Sequence, residues 1–91
     1  MKRVVEEVRV TDPLGIHARP AAALALAVGR SGARVTLRCG AKSADAKSLI
    51  QLLSLGAAAG SLVSAEIEGE DEAIAAVVGA LHEQLAPAPA L

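Results

Sequence analysis

Phenylalanine, tyrosine and tryptophan are absent from this chain of 91 residues. Without them no base or sugar ring can be stacked on an aromatic face, and the core has to be built from Val, Leu, Ile and Ala. An excess of one charge is missing too. Nine Lys and Arg stand against ten Asp and Glu, a net charge of −1, so no broad basic surface calls for nucleic acid. The single cysteine, Cys39, excludes an internal disulfide and suits a reducing compartment. No apolar run approaches the roughly 20 residues that span a bilayer. The opening MKRVVEEVRV breaks its apolar residues with Glu and Arg, unlike a signal peptide. No Gly-rich nucleotide loop occurs, and His17, Cys39 and His82 lack metal-ligand spacing, so neither cofactor nor metal is expected. What remains is 53% hydrophobic and 21% charged, the profile of one soluble globular domain, expected in the cytoplasm and as a monomer.

The periodicities assign the elements. In EVRVTDP, Val8 and Val10 face one way and Glu7 and Arg9 the other, which predicts a half-buried strand ended by Asp12-Pro13. From Pro20 to about Val28, Ala21, Leu24, Ala25 and Val28 recur at helical spacing, and GRSG stops the helix. ARVTLRC alternates again, with Val35, Leu37 and Cys39 on one face; AKSAD then reads as a short edge strand. KSLIQLLSLG predicts a short helix whose Ser48 and Gln51 have the spacing of a capping box. SLVSAEIEG is a strand with Val63, Ala65 and Ile67 inward. The last helix, EDEAIAAVVGALHEQL, carries Ile74, Val77, Val78, Leu81 and Leu85 in one stripe and acids at its start. His82, late in that helix, has no partner signal. The expected fold class is α+β: an open-faced sandwich in which three helices cover one side of a four-stranded antiparallel sheet, in the order βαββαβα. Residues 1–86 form the single domain, and 87–91 read as a flexible tail.

The chemistry concentrates in GIHARPA. The first amides of a helix lack internal partners, and the helix dipole adds partial positive charge there. With His17 at the cap, Ala18 and Arg19 offer free amides, Pro20 sits in the first turn where its missing N–H costs nothing, and Gly15 permits a close approach. A phosphoryl group on a ring nitrogen of His17 would meet those donors together with the Arg19 guanidinium. The surrounding positive charge would favour the neutral, nucleophilic imidazole. No paired carboxylate is expected near the motif, which argues against an enzyme that uses His17 as a general base.

GIHARPAAALA, then AKSLIQLLSLG about thirty residues on, then EIEGEDEAIAAV, together resemble HPr, the histidine-containing phosphocarrier of the bacterial phosphotransferase system, from about residue 4 to residue 85. The resemblance implies a carrier, not an enzyme. His17 would be phosphorylated at Nδ1 by enzyme I and would pass the group to IIA domains of the sugar system. Arg19 and the amides of Ala18 and Arg19 would contact the phosphoryl group. Ser48 would match the serine that HPr kinase/phosphorylase modifies in some relatives, although a serine cap is useful there in any case. Leu49, Ile50 and Leu53 cannot all turn inward from a two-turn helix, and with Leu26 they would form the docking face for partners. That face carries Leu26, Gly29 and Gln51 where enteric relatives often have lysine, leaving Arg19, Arg30 and Lys47 as its cations. Leu14-Gly15 before HARP also resembles the nitrogen-branch paralogues, so a regulatory carrier is the alternative.

Overall fold

The computed structural model of the protein describes residues 1–87. Eight elements follow in order: β1 (Lys2–Arg9), α1 (Ala18–Ser31), β2 (Arg34–Cys39), β3 (Lys42–Asp45), α2 (Leu49–Ser54), β4 (Leu62–Gly69), α3 (Asp71–Gln84) and β5 (Ala86–Pro87). The sheet runs β3-β2-β4-β1-β5, and every neighbouring pair is antiparallel. Four of these strands and the three helices form the expected open-faced sandwich, with β3 at one edge as anticipated.

Several boundaries differ from the sequence reading: β1 begins at Lys2, five residues ahead of EVRVTDP, and ends at Arg9 before Val10. Helix α1 begins two residues earlier, at Ala18, and continues through Gly29 to Ser31. Its stop is Gly32, which takes the left-handed conformation at φ 78° and ends the helix where a side chain would be strained. The chain after α3 does not fray at once: Ala86 and Pro87 pair with Arg9 and Val8 as β5. Proline suits this outermost position because it has no ladder donor to contribute. The rest of the expected tail, residues 88–91, lies outside the described residues.

Period-two alternation places Val8, Val35, Leu37, Val63, Ala65 and Ile67 on the helix side of the sheet, all buried. Leu24 and Val28 of α1, Leu52 of α2, and Val77 and Leu81 of α3 close over them. Among the described residues no polar or charged side chain is fully buried. The one buried side-chain nitrogen or oxygen without a hydrogen-bond partner among the described residues is Arg9 Nε, at the end of β1. Cys39 is half-buried against this core, as its strand face predicts.

The other face of the sheet is bare of helices and charged. Glu66 accepts from Arg38 Nε at 2.7 Å and from Arg3 at 2.6 Å, joining β1, β4 and β2 across their diagonals. The bond from the Arg38 guanidinium, followed by that from Arg3, holds the Glu66 carboxyl below its ordinary range. His82 is not unpartnered: its Nε2 lies 2.7 Å from the Glu6 carboxylate on β1.

Candidate functional site

The site is the loop between β1 and α1. Asp12-Pro13-Leu14-Gly15 has the residue order of a type I turn, and the turn is closed by the Gly15 amide donating to the Asp12 carbonyl at 2.9 Å. Gly15 takes φ 73°, and a Cβ there would stand 2.6 Å from the Ala57 carbonyl oxygen. The next residue fastens the loop, since the Ile16 amide donates to that same oxygen at 3.1 Å. The loop therefore lies directly against the backbone before β4, which is why a glycine is needed two residues ahead of the histidine.

His17 is the N-cap of α1, in extended backbone at φ −110°, and its carbonyl accepts the first helical bond from Ala21 at 3.1 Å. Ala18 and Arg19 precede that bond, so their amides have no helical partner, and Pro20 has no amide proton to lose. The His17 side chain makes no capping bond of its own and remains 34% exposed. Arg19 is exposed and joins none of the ion pairs among the described residues. The ring is thus partly open to solvent at a helix start whose first amides have no helical partner, and Arg19 lies two residues along the chain.

One neighbour corrects the sequence reading. A carboxylate does stand at the motif: Asp12 Oδ2 is 2.9 Å from His17 Nε2. Its other oxygen, Oδ1, accepts from the Leu14 amide at 2.8 Å. That backbone bond first, and the His17 bond second, hold the Asp12 carboxyl below the usual carboxylate range. The charge around the ring is therefore mixed, not uniformly positive. The signal was available in Asp-Pro-x-Gly, whose first side chain commonly folds back on its own turn. Reading Asp12-Pro13 only as a strand stop missed it. Among the described residues no three His, Cys, Asp or Glu side chains gather to hold a metal ion.

The family model described as "PTS HPr component phosphorylation site" matches residues 4–84. The chain belongs to the HPr family. Among its relatives, the phosphocarrier protein HPr of Buchnera aphidicola from Acyrthosiphon pisum is 38% identical over 66 residues, covering 72% of this chain and 78% of that protein. The multiphosphoryl transfer protein of Xanthomonas campestris is 42% identical over 62 residues, 68% of this chain but 7% of that much longer one. The crystal structure of HPr from Bacillus anthracis superposes with a TM-score of 0.74 at 31% identity, covering 86% of this chain and 95% of that one. The mycoplasma histidine-containing phosphocarrier protein, 24% identical, shares the fold with a TM-score of 0.80 over 88% of this chain and 93% of its own. HPr is a phosphocarrier of the phosphotransferase system, and this chain carries its fold.

On this HPr frame Ser48 is the N-cap of α2, and its Oγ accepts from the Gln51 amide at 3.2 Å. The reciprocal half of the expected capping box is absent. The Ser48 amide is already bound to the Asp45 carbonyl at 3.0 Å, so the Gln51 side chain accepts instead from the Asp45 amide at 2.8 Å. Leu49, Ile50 and Leu53 are exposed while Leu52 alone of α2 is buried. Leu26 is exposed on α1, nine residues beyond His17 or roughly 13 Å along the helix axis. A shallow groove between α1 and α2 brings Leu26 and Leu49 together with Arg30 and Lys47.

Proposed function

We propose that His17 takes a phosphoryl group on Nδ1 from phosphorylated enzyme I and hands it to IIA components of the sugar phosphotransferase system. The observation that carries this reading is the partly exposed His17 ring at the mouth of α1, in a chain of the HPr family. The unpaired amides of Ala18 and Arg19 and the Arg19 guanidinium are the donors that would receive the phosphoryl oxygens. The protein is then a stoichiometric intermediate with a phosphohistidine, working in the cytoplasm, and not an enzyme with its own substrate pocket.

The groove and the exposed leucines beside it support a docking face made of Leu26, Leu49, Ile50 and Leu53, rimmed by Arg30 and Lys47. An apolar centre with few cations makes docking depend less on salt-sensitive steering. Ser48, with its hydroxyl at the surface end of α2, is the residue an HPr kinase would modify; the added charge would suit a helix start but repel acidic partner surface.

The test is labelling. Incubation with enzyme I and phosphoenolpyruvate is expected to add one acid-labile phosphoryl group, and His17→Ala to abolish it. Equal labelling of that variant would overturn the assignment. Arg19→Ala is expected to slow transfer without unfolding the protein. A second reading, a nitrogen-branch carrier, is favoured by the Leu14-Gly15 pair ahead of HARP. The class of IIA domain that discharges the phosphorylated protein fastest separates the two.

A further inference from the structure

We propose that Asp12 is a positioning residue for phosphoryl transfer: by accepting a hydrogen bond from Nε2–H of His17 it holds the neutral ring in the tautomer whose Nδ1 carries a free lone pair. The inference rests on His17 being the phosphoryl acceptor. Its geometry stands on four short contacts. Asp12 Oδ2 is 2.9 Å from Nε2, and Oδ1 is held by the Leu14 amide at 2.8 Å. The Asp12 carbonyl is held by the Gly15 amide at 2.9 Å, and the Ile16 amide ties the same loop to Ala57 at 3.1 Å. Carboxylate and ring thus share one clamped turn, five residues apart, and cannot drift independently.

An ionised carboxylate has only lone pairs, so the proton in the Asp12–His17 bond must belong to the ring nitrogen. A neutral imidazole has one proton to place, and with it on Nε2 the other nitrogen is the bare one. In transfer, the Nδ1 lone pair forms the N–P bond as the bond from phosphorus to the donor's ring nitrogen breaks, and that electron pair returns to the donor. The Nε2 proton stays where it is. The phosphorylated ring gains positive character, which faces the Asp12 carboxylate. Discharge reverses the step: the acceptor's ring nitrogen attacks phosphorus, and the N–P pair returns to Nδ1. Neither direction requires His17 to gain or lose a proton.

Asp12→Asn is the sharp variant because it keeps the shape and inverts the polarity. Its side-chain oxygen can still close the turn with Leu14, but the amide NH₂ then meets Nε2 as a donor and pushes the ring proton to Nδ1. Ring ¹⁵N NMR at a pH where His17 is neutral is expected to show the Nε2–H form dominant in the unaltered protein. In Asp12→Asn the ratio is expected to move toward Nδ1–H by about fivefold, with Asp12→Ala between the two. Uptake of labelled phosphoryl from phosphorylated enzyme I is expected to rank unaltered protein fastest, Asp12→Ala next and Asp12→Asn slowest. A role confined to holding the turn gives the opposite order for the two variants, because Asn keeps the turn and Ala does not. An unchanged tautomer ratio in Asp12→Asn, or uptake by it as fast as by Asp12→Ala, overturns the proposal. The NMR measurement needs no partner protein. Unaltered protein that takes no label, while Asp12→Asn shifts the tautomer ratio as expected, would overturn the carrier reading, and the part of Asp12 in transfer with it.

Discussion

The Ile16 amide donates to the Ala57 carbonyl at 3.1 Å, so the residue before the histidine is bolted to the loop that leads into β4. Earlier in the same segment the chain is tied again: the Val10 amide donates to the Ser61 carbonyl at 3.0 Å and the Gly60 amide to the Val10 carbonyl at 2.7 Å. The histidine loop is therefore braced from outside its own segment, and its weak point is the close approach at Gly15.

Gly15→Ala meets two penalties at once, a left-handed backbone at φ 73° and a Cβ placed 2.6 Å from a backbone oxygen that cannot swing away. A loss of about 1–3 kcal/mol is expected. Thermal unfolding followed by circular dichroism should show a fall of roughly 4–8 °C for each kcal/mol in a domain of this size. Phosphoryl uptake should slow as well, because His17 is two residues away.

Helix α2 allows folding and docking to be separated. Leu52 is fully buried, and Leu52→Ala is expected to cost about 2–5 kcal/mol, measured by urea unfolding. Ile50 is 76% exposed, and Ile50→Glu is expected to leave stability within about 0.5 kcal/mol. The same Ile50→Glu change should weaken binding to enzyme I in a titration. Unaltered affinity would remove Ile50 from the docking face.

Ser48→Ala removes the acceptor for the Gln51 amide and is expected to cost about 0.5–2 kcal/mol in urea unfolding. Incubation with HPr kinase and ATP, read by mass spectrometry, is expected to add one phosphate to the unaltered protein and none to this variant.

Glu66 and Asp12 both have carboxyls held below their ordinary range in the folded protein. The unfolded chain then binds protons more readily, so the stability these groups provide is present above the ordinary carboxylate range and is lost as pH falls through the lower folded values. Unfolding midpoints measured downward from about pH 4 are expected to decline. The decline should be shallower in Glu66→Gln, which has no proton to take up there.

Most of the frame was legible because local period and burial agree. Val63, Ala65 and Ile67 alternate without a break, and the stripe through Val77, Leu81 and Leu85 keeps helical spacing. The cap at Ser48 was readable for the same reason, since cap and acceptor lie three residues apart. Its partner was not, because Gln51 turns to Asp45, a choice set by how β3 meets α2. The pairing of His82 with Glu6 joins residues 76 apart, and only the packing of α3 on β1 brings them together. Asp12 is the instructive case. Its turn was written in the sequence, but the forward reach of its side chain to His17 depends on how Gly15 seats the loop against Ala57.

The ladder Arg3–Glu66–Arg38 also governs what happens at the far end of the molecule. Sliding β4 by one residue would drive Glu66 into an aliphatic interior and turn Val63, Ala65 and Ile67 out to water, so the alignment of β1 with β4 admits no neighbouring alternative. That alignment delivers Val10 to Gly60 and Ser61 and hence the turn to Ala57. The in-and-out alternation of β4, Glu66 outward and Val63, Ala65 and Ile67 inward, thereby fixes where the imidazole waits.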